Sequence, residues 1–378
     1  MAEGEINVGG NGSNVPLRPV LVGSGKSIEK YSTFLRHFFV GLLEEAQSIA
    51  FVCPRGSVQS VGLSLPVEMI EHPFFNLKLM WRQNWKILVS RLEKFKPTVI
   101  HCICVSQVRL AHKLAEYFDI PFVLMLDRPD VGMYPFFLPL SNCGYLLSCG
   151  EGYLDELGKK YPSMCGRVGV VRPGTFVEDV SCCFSSPYRV TSMISVKSLE
   201  RVEEFEYLLG AIRHLAIEGY EFVFMIVGSG NAEMRIRKLI RGLGLSQIVY
   251  VVPEMPPLRK ILKGADIFIE TDPNHSSDPN LLEAMSVGMA VAACSSEEGF
   301  LKDRETALFF DGDDEISIYS CLRELCDKRE FARQLAMNGQ SELRANNSVS
   351  KMVGSIVDSY RISQLWKRGE LVDQSINP

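Results

Sequence analysis

Short apolar runs alternating with amphipathic stretches, in two successive series, constrain the fold of this chain more than any other feature. The first series holds PVLVG (19–23), SIAFVC (48–53), VEMI (67–70), TVIHCICV (98–105), PFVLML (121–126), YLLSC (145–149) and VGVV (168–171), with helical patterns at 27–46 and 109–118. The second holds VTSMISV (190–196), FVFMIVG (222–228), IVYVV (248–252), DIFIET (266–271), MAVAAC (289–294) and ALFF (307–310), with helical patterns at 314–346 and 349–367. This alternation predicts an α/β protein in which parallel sheets are covered by helices on both faces. Between the series, RPGTFVEDVSCCFSSPYR (172–189) breaks the periodicity with Pro, Gly and a Ser/Cys cluster. The expected organisation is a tail (1–16), a first domain (17–173), a linker (174–189), a second domain (190–347) and a C-terminal segment (348–378). Two such domains facing each other form a cleft at the carboxyl ends of their strands, where ligands of open α/β folds bind.

Composition narrows the function classes. Forty basic residues against 45 acidic give a net charge of −5, so no whole-protein basic field points to nucleic acid. The 11 cysteines are odd in number and scattered, which predicts reduced buried thiols. The close pairs Cys102/Cys104 and Cys182/Cys183 lack zinc-ligand spacing, so neither a structural metal nor a cofactor is expected. No apolar run approaches the roughly 18 residues of a membrane span, and the polar N-terminus MAEGEINVGGNGSNVP does not resemble a signal peptide. The expected location is the cytosol.

Several segments can carry chemistry. In LVGSGKS (21–27), Gly23, Ser24, Gly25 and Lys26 link a strand to a helix, either as an anion-holding loop or as a plain turn. It is not a Walker A loop, because Val20 occupies the position of the first Gly. Gly228, Ser229 and Gly230 repeat that context, but Glu233 stands where a dinucleotide fingerprint needs a third Gly. Close backbone approach to a nucleotide and a ligand-free turn both fit. In 266–310, Asp278 or Ser277 can cap a helix that begins with Pro279. Glu283 then lies one turn in, able to accept hydrogen bonds from sugar or ribose hydroxyls or simply to be solvated. Finally, 73–96 combines Phe74, Phe75, Trp81 and Trp85 with six basic residues and one acid, Glu93. This stretch suits either a core helix with a solvated basic face or a peripheral contact with an anionic membrane.

The run LLEAMSVGMAVAAC (281–294) resembles the C-terminal half of the E-x7-E region of retaining glycosyltransferases of family-4 type. The resemblance extends over the second domain through YLLGAIRHL, FMIVGSGNAEMRIRKLI, LRKILKGADIFIETD and DRETALFFDGDD, and more loosely over the first. It implies the GT-B architecture: two doubly wound Rossmann-like domains facing a central cleft, with the final helix crossing back onto the first domain. It further implies transfer of a sugar from a nucleotide-diphosphate donor, a UDP-sugar above all, to a glycan, lipid-linked or small-molecule hydroxyl, without an obligatory metal. Glu283 then matches the ribose-binding acid, and Gly228, Ser229 and Gly230 a loop near the base.

Other motif positions differ. His275, or Ser276 with a one-residue deletion, stands where the family has its first acid, and Asp127 where it has a cleft histidine. Ser198 and Glu203 replace the Arg and Lys that hold the diphosphate, leaving Lys197 or Arg201 to substitute from shifted positions. Asp127 and His275 are therefore the catalytic candidates, with Lys197, Arg201 and Ser276 on the donor side. The competing reading is a noncatalytic pseudoglycosyltransferase that scaffolds or regulates an active protein partner. A sugar-nucleotide epimerase shares the same architecture.

Overall fold

A computed structural model of the chain describes residues 17–46, 48–57, 66–73, 78–126, 140–148, 154–186, 189–253, 258–273, 278–295 and 300–370. Within them the two apolar series form two wholly parallel sheets. The first contains β1 (Pro19–Val22), β2 (Ile49–Cys53), β3 (Val67–Glu71), β4 (Val99–Cys102), β5 (Phe122–Leu126), β6 (Cys143–Ser148) and β7 (Val168–Val170), in spatial order β3-β2-β1-β4-β5-β6-β7. The second contains β8 (Thr191–Val196), β9 (Phe222–Val227), β10 (Val249–Val252), β11 (Ile267–Glu270), β12 (Ala290–Cys294) and β13 (Leu308–Phe310), in order β10-β9-β8-β11-β12-β13. The strands read as continuous apolar runs because helices cover both faces of each sheet. β1, β2, β5 and β12 are buried at every residue.

Helices fill the intervals: α1 (Gly25–Lys30), α2 (Ser32–Glu45), α3 (Lys78–Phe95), α4 (Val108–Phe118), α5 (Leu154–Lys160), α6 (Glu206–Ile217), α7 (Glu233–Gly242), α8 (Leu258–Leu262), α9 (Pro279–Ser286), α10 (Glu315–Asp327), α11 (Arg329–Asn346) and α12 (Val349–Lys367). Two expected helices are each broken in two. The pattern at 27–46 divides at Tyr31, whose φ of −107° and ψ of 22° leave the helical region. That at 314–346 divides at Lys328, with ψ of 64°. Asp278 caps α9 by accepting from the Asn280 amide (2.8 Å), with Pro279 following. Asp314 likewise caps α10, so the DGDD run is a turn entering a helix.

The first sheet borrows its outer layer from the end of the chain. Val349, Met352, Val353, Ile356, Val357 and Tyr360 of α12 share one core cluster with Phe34, Phe38, Phe39 and Phe51. Inside it, Tyr360 Oη lies 2.7 Å from His101 Nδ1 on β4. Burial pushes the imidazole down to about 3 and keeps the phenol protonated. Both partners of this buried hydrogen bond are therefore neutral.

Candidate functional site

In each sheet the order of strand addition reverses once, between β1 and β4 in the first and between β8 and β11 in the second. These switch points open a crevice at the carboxyl ends of the strands. Beside the first lies the Gly23–Lys26 loop. Ser24 Oγ accepts from the Ser27 amide (3.2 Å) and the Ser24 carbonyl from that of Ile28 (3.0 Å), so the loop is a capped strand-to-helix turn. A Cβ on Gly23 would stand 2.7 Å from Ile103 Cδ1, which accounts for glycine there, and Lys26 is exposed.

At the second switch point, Lys197 directly follows β8. Its ammonium donates to Thr271 Oγ1 (3.1 Å) and pairs with Glu204 (3.1 Å). Arg201 is 73% exposed and bonds the same carboxylate through Nε (2.7 Å). Partial burial of Glu204 would raise its pKa, but bonds from Lys197 and Arg201 outweigh that and hold it below the usual carboxylate range. The Gly228–Ser229–Gly230 turn is stitched to the Lys197–Leu199 segment. Lys197 N donates to Val227 O (2.9 Å), Leu199 N to Ser229 O (3.1 Å) and Ala232 N to Leu199 O (2.8 Å). A Cβ on Gly228 would collide with the Lys197 carbonyl, and one on Gly230 with that of Leu199. The close approach that demands glycine is thus to the chain's own backbone. Gly228→Ala is expected to push this turn off Lys197 and cost about 2–3 kcal/mol, measured by chemical denaturation. A loss below about 0.5 kcal/mol would show that the turn yields freely.

Glu283 is the most heavily engaged of the expected site residues that the structure describes. Only 4% exposed on α9, it accepts from Thr175 Oγ1 (2.6 Å) and from Arg259 Nη1 (2.9 Å). Arg259 also reaches Ser286 Oγ (2.8 Å), the Phe176 carbonyl (2.5 Å) and Glu178 (3.0 Å). Bonds from Lys263 and Arg259 in turn keep Glu178 below the carboxylate range. From the first domain, His37 on α2 brings Nε2 to 3.6 Å from Glu283, while its Nδ1 lies 3.2 Å from the Gly174 carbonyl. Burial holds His37 below its ordinary pKa despite the neighbouring carboxylate, so it is neutral with Nδ1–H as donor. Glu283 therefore joins α9, α8, the connecting segment and the first domain.

Glu270 is a second buried acid at this crevice. It ends β11 between the apolar residues of that strand and Thr271. The sequence signals it as one charge in an otherwise apolar strand, whereas nothing local announces Arg259, Thr175 or His37. Asp127, His275 and Ser276 lie outside the described residues.

Away from the crevice, α3 buries Leu88, Val89, Leu92 and Phe95 and turns Arg82, Lys86, Arg91 and Lys94 outward. Trp81 stacks on Trp85 (centroids 6.0 Å, 12°), Lys113 of α4 lies over the Trp81 ring, and Met80 and Ile87 are exposed. Phe74 and Phe75 lie outside the described residues. Among the described residues no helix is long and apolar enough to cross a membrane. The ten described cysteines are free thiols, with Cys53 pushed up by burial to about 11 and Cys143 to about 12.

Residues 189–342 match the family model of the glycosyl transferases group 1. No curated protein matches the chain. Among solved structures, a glycosyltransferase from Rickettsia africae is similar over 92% of this chain and 98% of its own, with a TM-score of 0.71 at 12% identity. Anabaena Alr3699/HepE in complex with UDP and glucose is similar over 91% and 99% (TM-score 0.69, 11% identity). The sucrose-phosphate synthase of Thermosynechococcus elongatus is similar over 93% and 100% (TM-score 0.68, 14% identity). The chain therefore has the GT-B fold, two Rossmann-like parallel-sheet domains, the second of which contains the residues 189–342 that match the glycosyl transferases group 1 model.

Proposed function

We propose that the protein is a glycosyltransferase that moves a sugar from a nucleotide-diphosphate donor, with a UDP-sugar first in line, to a glycan, lipid-linked or small-molecule hydroxyl with retention at the anomeric carbon. The observation that carries this reading is the coincidence of the group 1 domain with a switch-point crevice flanked by Lys197 and Glu283. In this reading Glu283 exchanges the Thr175 hydroxyl for a ribose hydroxyl, and Gly228–Gly230 border the base. Lys197 and Arg201 leave Glu204 for the diphosphate, whose developing charge requires preorganised donors. His275 and Ser276 complete the donor side, while Asp127 and the Gly23–Lys26 loop belong to the acceptor side. Closure of the two domains then excludes water and aligns the substrates. The protein works in the cytosol, and the basic-aromatic surface of α3 rests on an anionic membrane that carries the acceptor.

One observation favours the noncatalytic scaffold instead: Lys197 and Glu283 both already hold internal partners. Calorimetric titration with UDP, GDP, ADP and their sugars separates the readings. Micromolar binding of one nucleotide, weakened in Glu283→Ala, supports the donor site. No heat from folded protein with any of them supports the scaffold.

A further inference from the structure

β11 is an interior strand, hydrogen-bonded to β8 on one side and β12 on the other, yet its last residue is the buried Glu270. A carboxylate in such a place must find partners or give up its charge. Glu270 Oε1 accepts from the Asp272 amide (2.8 Å), and its carboxyl bonds that of Asp278, the cap of α9. Asp278 also accepts from the amides of Asn280 (2.8 Å) and Leu281. Two carboxyls in contact cannot both ionise without strong repulsion, so one proton stays between them. Asp278 is committed as acceptor to the α9 amides, so Glu270 carries that proton and donates it to Asp278. Burial and then the Asp278 charge raise Glu270 well above the usual carboxylate range, and burial also raises Asp278.

Lys197 and Asp272 act on this pair directly, and further charges stand at the neighbouring strand ends. Lys197 follows β8, with Glu204 behind it, and Asp272 follows β11. Across Cys294, at the end of β12, stand Asp311 and Asp313 from the turn after β13. Among the described residues Lys197 is the cation that acts on Glu270, with Arg201 bound to the same Glu204 carboxylate, and one further negative charge at the pair weighs against the entry of an anion.

We propose that Glu270 and Asp278 form a one-proton carboxyl pair on the floor of the donor crevice, and that the retained proton sets the affinity for the donor diphosphate. This rests on the donor-site reading given above. With the proton in place the pair carries one negative charge, which Lys197 offsets. Without it the pair carries two, draws Lys197 inward and repels the diphosphate. Glu270 acts here through charge and through Lys197, as a positioning residue.

The test is calorimetric titration of the full chain with UDP-glucose, whose diphosphate diester does not titrate over roughly pH 5 to 9, a window above the ordinary carboxylate range. Affinity is expected to fall about tenfold as pH rises across the window, the effect of one added charge close to the ligand. Uridine, lacking the diphosphate, should show no such slope. In Glu270→Gln, which has no proton to lose, affinity should stay at its low-pH value throughout. Asp278→Asn, which retains a capping oxygen, limits the pair to a single negative charge at any pH, so its affinity should never fall below the low-pH value of the unmodified protein, and it provides a second variant should the first fold poorly.

Flat affinity in the unmodified protein, an unchanged slope in Glu270→Gln, or an Asp278→Asn affinity that falls to the high-pH value of the unmodified protein overturns the proposal while leaving donor binding intact. No binding of UDP-glucose at any pH by folded protein overturns the donor reading and the role of the pair with it. Thermal unfolding adds a readout that needs no ligand. In the unfolded chain both carboxyls ionise at ordinary values, whereas the folded pair holds its proton longer. Stability must therefore fall as pH rises from the ordinary carboxylate values through the titration of the pair, and Glu270→Gln must flatten that slope.

Discussion

Glu283→Ala is expected to lower the unfolding free energy by about 3 kcal/mol and to weaken nucleotide-sugar binding at least about tenfold. The carboxylate is 4% exposed and accepts at once from Thr175 and Arg259. Its removal leaves the Thr175 hydroxyl buried without its present acceptor and, among the described residues, Arg259 with Glu178 alone as a charge partner. Glu283→Gln separates the two roles. The amide oxygen can still accept from Thr175 at close to native geometry, so about half of the stability should return. The charge that orders Arg259 is absent, and the affinity should not recover. Chemical denaturation with calorimetry on the same preparations reads both quantities. A Glu283→Ala protein as stable as the parent would remove Glu283 from the domain junction, and unchanged binding would remove it from the donor site.

Asp266→Ala is expected to cost about 4 kcal/mol, more than any other single exchange considered. The side chain, only 2% exposed, takes four hydrogen bonds. Oδ1 accepts from the Phe184 amide (2.9 Å) and Arg189 (3.2 Å), and Oδ2 from the Ser192 amide (2.9 Å) and hydroxyl (3.1 Å). It fixes the end of the interdomain segment to the starts of β8 and β11. Alanine orphans two backbone amides, each worth about 1–3 kcal/mol when left unmatched. Asparagine retains one accepting oxygen and should lose about half as much. A denaturation midpoint within error of the parent for Asp266→Ala would show that water or a local shift satisfies both amides.

The sheets were legible because buried parallel strands leave a strong local trace. PVLV, IAFVC and AVAAC admit no polar residue, and the structure places them within a residue of the expected runs. Breaks inside helices left a weaker trace. Tyr31 and Lys328 are ordinary helix residues by propensity, and no local signal ends a helix there. The environment of the site was the least legible. The resemblance singled out Glu283, but its partners lie 24 residues away at Arg259 and 108 away at Thr175. Pairing over such separations follows from topology, which no local window contains. The glycines at 228 and 230 were open to two readings, and the Lys197 and Leu199 carbonyls pressed against them show why no side chain fits. Glu270 is a charge in an otherwise apolar strand that the sequence reading passed over, and its meaning depends on Asp278 arriving from the next helix.

The crossing of α12 onto the first sheet sets an order on biosynthesis. The second sheet has all of its strands once Phe310 has been made, and α10 and α11 follow directly. The first sheet completes its strands far earlier, at Val170, but the layer over Phe34, Phe38 and Phe51 is supplied by Val349–Lys367, which is made after every strand of the second sheet. During vectorial synthesis the earlier-made half must therefore wait, with an apolar face uncovered, while the later-made half is completed. A nascent chain of this protein is most exposed to chaperones, and to misassociation, between the completion of its first sheet and the emergence of α12.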